Sequence, residues 1–383
     1  MDFDLQWLLL GLPLTFALGW LASRFDLRQL KREQKDSPKA YYKGLSLLLN
    51  EQHDKAIDAF IEAVQQDPDT SDLHFALGNL FRRRGEFERA VRVHEHLLNR
   101  ADLAPTERDR AQHALAQDFM KAGLFDRAES AYRALDGTAF DTEARLALLT
   151  LHERSRDWRA AVDVAQELEN RGTGSFASRI SHYWCEIALE ADAKHRDDEA
   201  DSALKHARDA VPQAARPLVH AGHRAAKRGD HTEVLSLWGV LMVAHPAAFN
   251  LVAREYARSA IASGGATAAI ERLRELDLRA PTMDLLDALA LLDPDPAHQR
   301  ERVLSHLRNH PTLSAAKALI TQNDTATFSA VETKALGDAV GRSAKPLHRY
   351  RCAACGFEAQ HYFWQCPGCS SWDSYPPQRL EDL

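Results

Sequence analysis

Small and aromatic residues recur along this chain at a spacing that predicts stacked pairs of helices. Gly44 and Gly78 lie 34 residues apart, as do Ala56 and Ala90, with aromatic residues between them. A period of this length, with small residues where helices cross and a proline after the second helix, is typical of tetratricopeptide-like helical hairpins. The pattern therefore predicts an all-α helical solenoid.

The same pattern recurs further along the chain. Later copies are predicted at Ala116–Tyr132, Asp157–Val162, Trp184–Pro212 and Gly222–Pro246. A single unit cannot bury its own apolar face, whereas six or more stacked units share a continuous core. After Pro246 the pattern weakens into Ala- and Leu-rich segments with proline breaks, where one to three degenerate units are expected. We therefore predict repeats over 37–246 and degenerate helical repeats over 247–345.

The start of the chain has a different pattern. Leu5 to Ala22 runs without a charge, and as a helix it would be about 27 Å long, close to the ~30 Å hydrocarbon layer of a bilayer. Trp7 and Trp20 lie near its ends, where interfacial aromatic residues usually sit. The stretch predicts a transmembrane anchor over 1–23, with a cleaved signal peptide and a buried core helix as alternatives.

The charges beside this stretch predict its orientation. Asp2 and Asp4 precede it, whereas residues 24–36 form a basic juxtamembrane linker. The positive-inside rule therefore predicts a single-pass protein with residues 24–383 in the cytoplasm. In that compartment thiols stay reduced and are available as metal ligands.

The C-terminal region, predicted as a metal-binding knuckle over 346–383, contains two CxxC pairs. Cys352 and Cys355 form the first pair, and after ten further residues Cys366 and Cys369 form the second. Two pairs at this separation can present four thiolates to one metal ion in a tetrahedron. A segment of this size is too short to fold around its own core, so a metal would supply much of its folding free energy.

Zinc is favoured as the metal and iron is the alternative, because thiolate tetrahedra accept both and the spacing does not separate them. Four protein ligands leave no open coordination position, which argues against catalysis at the metal. A disulfide would need an oxidising compartment, and a thioredoxin-like motif would need one CxxC beside a βαβ pattern. The remaining cysteine, Cys185, lies in an apolar helical run and is expected to be buried.

Composition and motifs argue for protein binding. The net charge of −7 gives no general nucleic-acid footprint. The sequence has no nucleophile elbow, HExxH motif or Gly-rich dinucleotide loop, so we expect no enzyme activity. Stacked hairpins bind other proteins along a concave surface. The candidate contact residues there are Asn79, Arg82, Arg83, Gln117 and Lys121. For each of them an ordinary solvent-facing role is the alternative.

The order of anchor, helical repeats and four-cysteine knuckle resembles the lipopolysaccharide assembly protein B family (LapB, also called YciM). The likeness covers essentially the whole chain, including Tyr41–Asn50, Gly78–Glu86 and Ala122–Glu129. The ending from Tyr350 to Trp372, with a rubredoxin-like knuckle, is the most specific part. By this match, Cys352, Cys355, Cys366 and Cys369 take the role of metal ligands.

The resemblance implies an adaptor at the inner membrane of a Gram-negative bacterium. Members of the family present the deacetylase LpxC to the membrane protease FtsH, and the membrane protein LapC restrains them. The family's knuckle packs against the repeats and is needed for function. Three alternatives remain: an iron-binding redox protein, a generic tethered scaffold and a zinc-ribbon nucleic-acid binder. Residues 349–383 balance arginines with carboxylates, which makes the last the weakest. A homodimer also remains open.

Overall fold

The computed structural model describes residues 16–20, 42–47, 49–66, 70–321 and 330–382. The predicted anchor, apart from 16–20, and the basic linker lie outside these residues, as does Trp7. Residues 16–20 are helical, and Trp20 is 53% exposed. In the described ranges, no helix is both long enough and apolar enough to cross a membrane. The chain forms two compact units, residues 1–160 and 161–383.

The first unit consists of helices that pack against their neighbours in the chain. Its described helices are α1 (His53–Gln66), α2 (Ser71–Arg83), α3 (Phe87–Leu98), α4 (Pro105–Ala122), α5 (Phe125–Arg133) and α6 (Asp141–Ser155). Residues 42–47 are helical as well. The second unit also begins with helices, and a small two-stranded sheet follows them.

The second unit carries the longer helical array. Its described helices are α7 (Trp158–Asn170), which starts just before the boundary, α8 (Ala177–Ala193), α9 (Asp197–Ala210), α10 (Ala215–Arg228), α11 (His231–Ala244), α12 (Pro246–Phe249), α13 (Ala253–Ala262), α14 (Ala266–Arg279), α15 (Met283–Leu292), α16 (Pro296–Asn309), α17 (Leu313–Thr321) and α18 (Ala330–Ala344). Strands β1 (Tyr350–Arg351) and β2 (Glu358–Ala359) then pair antiparallel, with Tyr350 opposite Ala359. A short 3-10 turn at Leu380–Asp382 follows. The predicted all-α repeat architecture is confirmed.

Short turns with glycine separate the helices of a pair. Gly229 ends α10 with a φ of +77°, a left-handed conformation that side chains with a Cβ rarely adopt. Asp230 follows at once, and its carboxylate accepts a hydrogen bond from the Glu233 amide at 2.9 Å, which caps α11. Gly123 ends α4 in the same way, with a φ of +76°. These turns stop one helix and start the next within two residues.

Glycine also allows the two helices of a pair to approach each other closely. A Cβ on Gly78 would lie 2.5 Å from His94 Nε2, and one on Gly44 would lie 2.9 Å from the Phe60 ring. Gly222 contacts the Trp238 indole even more tightly. In each case the large ring comes sixteen residues after the glycine. The repeat is therefore built on a small residue in the first helix and a ring in the second.

The largest apolar core of the second unit surrounds this contact. Trp238, Phe249, Leu273 and Leu285 are completely buried in it. Trp364 from the C-terminal knuckle packs against the same cluster. The knuckle therefore extends the core of the helical array and does not form a separate body.

Replacement of Gly222 with Ala is expected to destabilise the second unit. The new methyl group would overlap the buried Trp238 ring, and overpacking of this kind typically costs about 1–3 kcal/mol. Gly239→Ala is the matched control, because its Cβ would meet only Arg272 Nη1 at an ordinary 3.7 Å. We expect that control to be neutral or up to ~1 kcal/mol more stable, since Ala favours helix. Urea unfolding of both variants measures the difference, and equal stabilities would contradict the close-approach model.

Candidate metal centre

The four cysteines of the knuckle converge on one point. Their Sγ atoms all lie within 4.8 Å of one another. The Sγ–Sγ distance is 3.9 Å for Cys352 and Cys369, and 3.7 Å for Cys355 and Cys366. A tetrahedral ion with metal–sulfur bonds of ~2.3 Å requires sulfur separations of about 3.8 Å. The four side chains thus fit a single tetrahedral metal ion.

Two equivalent turns create this arrangement. In the first, Gly356 donates to the Cys352 carbonyl at 2.9 Å and has a φ of +76°. In the second, Ser370 donates to the Cys366 carbonyl at 2.8 Å and has a φ of +58°. Ser370 therefore adopts the left-handed conformation for which glycine would be the usual residue. The amide of Gly368 points at the Cys366 sulfur from 3.4 Å, as expected for a turn that wraps around a ligand.

Hydroxyl groups and neighbouring thiols control the protons on the sulfurs. The Ser374 hydroxyl, 3.3 Å from Cys352 Sγ, lowers the pKa of that thiol to about 6. A hydrogen bond with the Phe357 backbone lowers the pKa of Cys355. Desolvation and the other three cysteines outweigh this effect and raise that pKa to about 12. All four cysteines must be deprotonated to serve as metal ligands. A divalent ion that binds all of them would release protons on binding.

The centre is buried on one side only. Cys352 and Cys366 are 1% exposed and pack with Tyr350 and Tyr375, whereas Cys355 and Cys369 face solvent.

The remaining cysteine behaves differently. Cys185 is fully buried in α8, as expected, and burial raises the pKa of its thiol to about 12. It is therefore an inert packing residue.

The loop after the second CxxC pair attaches the knuckle to the helical array. The Asp373 carboxylate lies 2.7 Å from His182 Nε2 and accepts a hydrogen bond from the Ser178 hydroxyl at 3.2 Å. The ring of Trp372 stacks on His182 with centroids 4.7 Å apart. Burial has the largest single effect and raises the pKa of Asp373. The hydrogen bond and charge of His182, the hydrogen bond from Ser178 and the charge of Arg216 together outweigh it and leave the pKa lowered.

Arg216 on α10 packs against the same interface between α8 and the knuckle. Its guanidinium is 3% exposed and pairs with Glu186 at 2.6 Å. It also lies near the faces of Trp364 and Trp372, 5.9 and 5.5 Å from the ring centroids. A buried cation held between a carboxylate and two indole faces fixes the position of both rings.

The C-terminal residues form a second attachment. The Ser314 hydroxyl on α17 donates to Glu381 at 2.6 Å, and Arg379 pairs with Asp284 on α15 at 3.0 Å. The His348 ring lies 3.4 Å from the same Glu381 carboxylate. The side chain of Glu381 is only 3% exposed, so these partners supply the hydrogen bonds that its buried oxygens require.

The candidate protein-binding residues lie in the first unit, and they differ in their surroundings. Arg82 donates to the buried Asp118 at 2.8 Å and to the Asn79 side-chain oxygen at 2.5 Å. Gln117 lies 3.4 Å from the His113 ring. Arg83 and Lys121 are exposed. The internal partners of Arg82 and Asn79 leave those two less available to a ligand, and a contact role for any of the five stays a prediction.

Sequence reasoning missed the residues that hold the knuckle in place. His182, Arg216 and Asp373 carry no motif, and His182 and Asp373 are separated by 191 positions. The sequence signal nearest to this interface is a set of aromatic residues that bracket the cysteines and predict a small apolar shell: Tyr350, Phe357, Trp364 and Trp372.

Comparisons with known proteins agree with this architecture. A family model described as the rubredoxin metal binding domain matches residues 350–376, and a tetratricopeptide repeat model matches residues 73–109. Lipopolysaccharide assembly protein B of Escherichia coli strain K12 is 32% identical over 98% of this chain and 98% of its own. The protein of the same name from Haemophilus influenzae is 27% identical over 97% of this chain and 98% of its own.

A search of solved structures matches this chain with a tetratricopeptide repeat protein from Parabacteroides merdae. It has a TM-score of 0.34 and 12% identity, and the match covers 67% of this chain and 98% of that one. Because the TM-score is low, this similarity carries no argument about the present chain.

Fold and site together define a class, the helical-repeat proteins that end in a rubredoxin-like four-cysteine module. Within that class the identity extends along nearly the full length of the curated relatives. The chain belongs to the lipopolysaccharide assembly protein B family, and the resemblance drawn from its motifs is confirmed.

Replacement of Cys366 with Ser is expected to abolish stoichiometric metal binding. The variant loses one of four thiolates, and the knuckle, which has little core of its own, should unfold from the array. Cys185→Ala is the matched control, because that thiol lies outside the cluster and should leave the metal content unchanged. Elemental analysis and thermal unfolding measure both effects. Full metal content with an unchanged melting temperature in Cys366→Ser would rule out the four-thiolate site.

Replacement of Asp373 with Asn is expected to loosen the knuckle from α8 without loss of metal. The change removes the negative charge that faces His182. Backbone amides of α8 and of residues 362–375 should therefore exchange roughly tenfold faster, which corresponds to a loss of ~1.4 kcal/mol in the free energy of local opening. Glu358→Gln is the control, since its partners Arg349 and Arg351 lie within the knuckle. Hydrogen exchange read by mass spectrometry tests this. Unchanged exchange in α8 would show that Asp373 does not hold the interface.

Proposed function

We propose that this protein is a non-enzymatic adaptor that regulates lipopolysaccharide synthesis from the cytoplasmic side of the inner membrane. The observation that carries the proposal is the 32% identity along 98% of the chain with a protein named for lipopolysaccharide assembly. An alignment of this length includes both the repeats and the knuckle.

The metal centre supports an adaptor and not a catalyst. Among the described residues, the four cysteines are the one group of His, Cys, Asp and Glu placed to hold a metal ion. All four positions of the tetrahedron come from the protein, so no position is left for a substrate or an activated water. An ion bound there would act by holding two turns together. We propose zinc, because a redox-inert ion suits a purely structural role.

The attachment of the knuckle supports the same view. Asp373 and Glu381 bind residues of α8 and α17, so the knuckle is fixed at two places on the helical array. The knuckle is thereby held in a defined place on the paired helices of the second unit, which can offer that unit's surface to a partner. Surfaces of this kind bind protein segments and do not transform small molecules.

We propose that the partners are the deacetylase LpxC, the membrane protease FtsH and the membrane regulator LapC. The adaptor would present LpxC to FtsH for degradation, and LapC would restrain it. The predicted anchor over 1–23 supports this scheme, because confining adaptor and protease to one bilayer raises their effective concentration toward the millimolar range. Weak contacts between the soluble parts then suffice.

Depletion of this protein is expected to lengthen the half-life of LpxC in its native host. Loss of the adaptor removes the step that delivers LpxC to the protease, so the deacetylase should persist several-fold longer after translation is stopped. Expression of the full-length chain should restore the short half-life, whereas Cys366→Ser should not. Cys185→Ala serves as the control that keeps the metal centre intact.

Immunoblots of LpxC after a translation block measure this half-life. An unchanged half-life on depletion would reject the adaptor role in LpxC degradation. Full restoration by Cys366→Ser would instead separate the adaptor role from the metal centre. In either case absorption spectra of the purified protein identify the ion, since an iron–thiolate site is red and a zinc site is colourless.

A further inference from the structure

The second half of helix α11, residues 237–244, carries no polar side chain. Val234, Trp238 and Leu241 are completely buried on the inner side of the helix. On its outer side Val240 is 51% exposed and Val243 is 82% exposed. A helix at the surface of an array normally carries charged or polar residues on the side that faces solvent. The outer side of this second half of α11 therefore presents an apolar surface for which the chain itself supplies no cover among the described residues.

This surface forms one wall of a groove. Helix α14 supplies the other wall, and together they enclose a cleft of about 750 Å³, lined by Val240, Met242, Val243, Arg272, Leu276 and Arg279 among others. That volume lies within the ~300–1,000 Å³ typical of ligand clefts. The two walls are the second helices of successive pairs, so the groove runs between helices and has no exposed strand edge. Grooves of this form bind amphipathic helices.

The charge in the groove is positive. Arg279 pairs with Glu275 one turn earlier, and Arg274 pairs with Asp293. Arg272 has no such ion pair within the part of the chain that the structure describes. Its Nη1 would be 3.7 Å from a Cβ on Gly239, so the guanidinium extends over the backbone of α11. The groove thus carries one uncompensated cation beside apolar side chains, in a chain whose net charge is −7.

We propose that this groove docks an amphipathic helix of a partner protein, with an apolar face against Val240 and Val243 and a carboxylate against Arg272. The carboxylate would neutralise the cation in a partly desolvated site, where a charge-assisted hydrogen bond is strongest. The proposal holds for any such partner and does not depend on the pathway proposed above.

Two other occupants fit the groove less well. In a two-fold symmetric dimer, the groove of one copy would face the same groove of the other copy. Arg272 of each copy would then lie opposite a positively charged groove. An anionic membrane surface is usually bound by clusters of four to eight Lys or Arg. The groove offers Arg272 and an arginine already paired with Glu275.

Two synthetic helices provide the test. Both carry the same leucine face, and one places glutamates beside it where the other places lysines. Fluorescence anisotropy with the full-length chain in nanodiscs should show binding of the glutamate peptide and at least tenfold weaker binding of the lysine peptide. Val243→Asp should weaken binding of the glutamate peptide at least tenfold. Arg272→Glu should reverse the preference in favour of the lysine peptide.

Two control variants keep the test specific. Leu278→Asp changes an 87% exposed leucine of α14 that does not line the groove, and Arg300→Glu reverses an exposed arginine of α16. Both should bind the glutamate peptide like the parent chain. Because Val243 and Arg272 are exposed, their variants should keep the parent melting temperature, which is measured alongside.

Three results would overturn the proposal. Equal binding of both peptides, or binding unchanged by Val243→Asp and Arg272→Glu, would show that the groove does not select an acidic helix. Self-association of the chain in sedimentation experiments, lost in Val243→Asp, would assign the groove to a second copy. Capture of the chain on anionic vesicles, lost in the same variant, would assign it to lipid.

Discussion

The close approach of paired helices is the constraint on which this fold depends. A glycine in the first helix leaves room for a ring sixteen residues later in the second, as Gly78 does for His94. This contact has a further effect in the first unit. Because His94 can enter the space beside Gly78, its Nδ1 comes within 2.5 Å of the buried Asp118 on α4. Asp118 also binds Arg82 on α2, so one buried carboxylate joins three helices.

The metal centre and its attachment stabilise the C-terminal knuckle in different ways. A metal ion bound by the four cysteines would hold the two turns together locally, where the apolar cluster is small. The attachment relies on packing and charge, since Trp364 extends the core around Trp238 and Asp373 faces His182. Metal removal and disruption of the interface are therefore distinct perturbations of one module. An adaptor of the proposed kind needs both, because the module must be folded and also correctly placed.

The sequence was informative where the chemistry is local. The spacing of Cys352, Cys355, Cys366 and Cys369 predicted one cluster because each pair lies in a single tight turn. The 34-residue period predicted the helical pairs for the same reason, since each pair is one continuous stretch of chain. Contacts between distant segments left no such pattern. Nothing near His182 or Arg216 indicates that a loop of the knuckle covers them, and the inward position of Asp118 beside Arg82 arises only when α2 and α4 pack.

The separation of His182 and Asp373 by 191 residues has a consequence for synthesis on the ribosome. In helical pairs such as α10 and α11, each helix makes most of its contacts with the other. Such a pair can form as soon as it emerges from the ribosome. The surface of α8 that binds the knuckle must wait for the last part of the chain, for roughly 10–40 s at the usual elongation rates of ~5–20 residues per second. During that time the His182 surface is open to solvent and to chaperones. The second unit of a newly made chain is therefore completed only after Asp373 and Glu381 have left the ribosome.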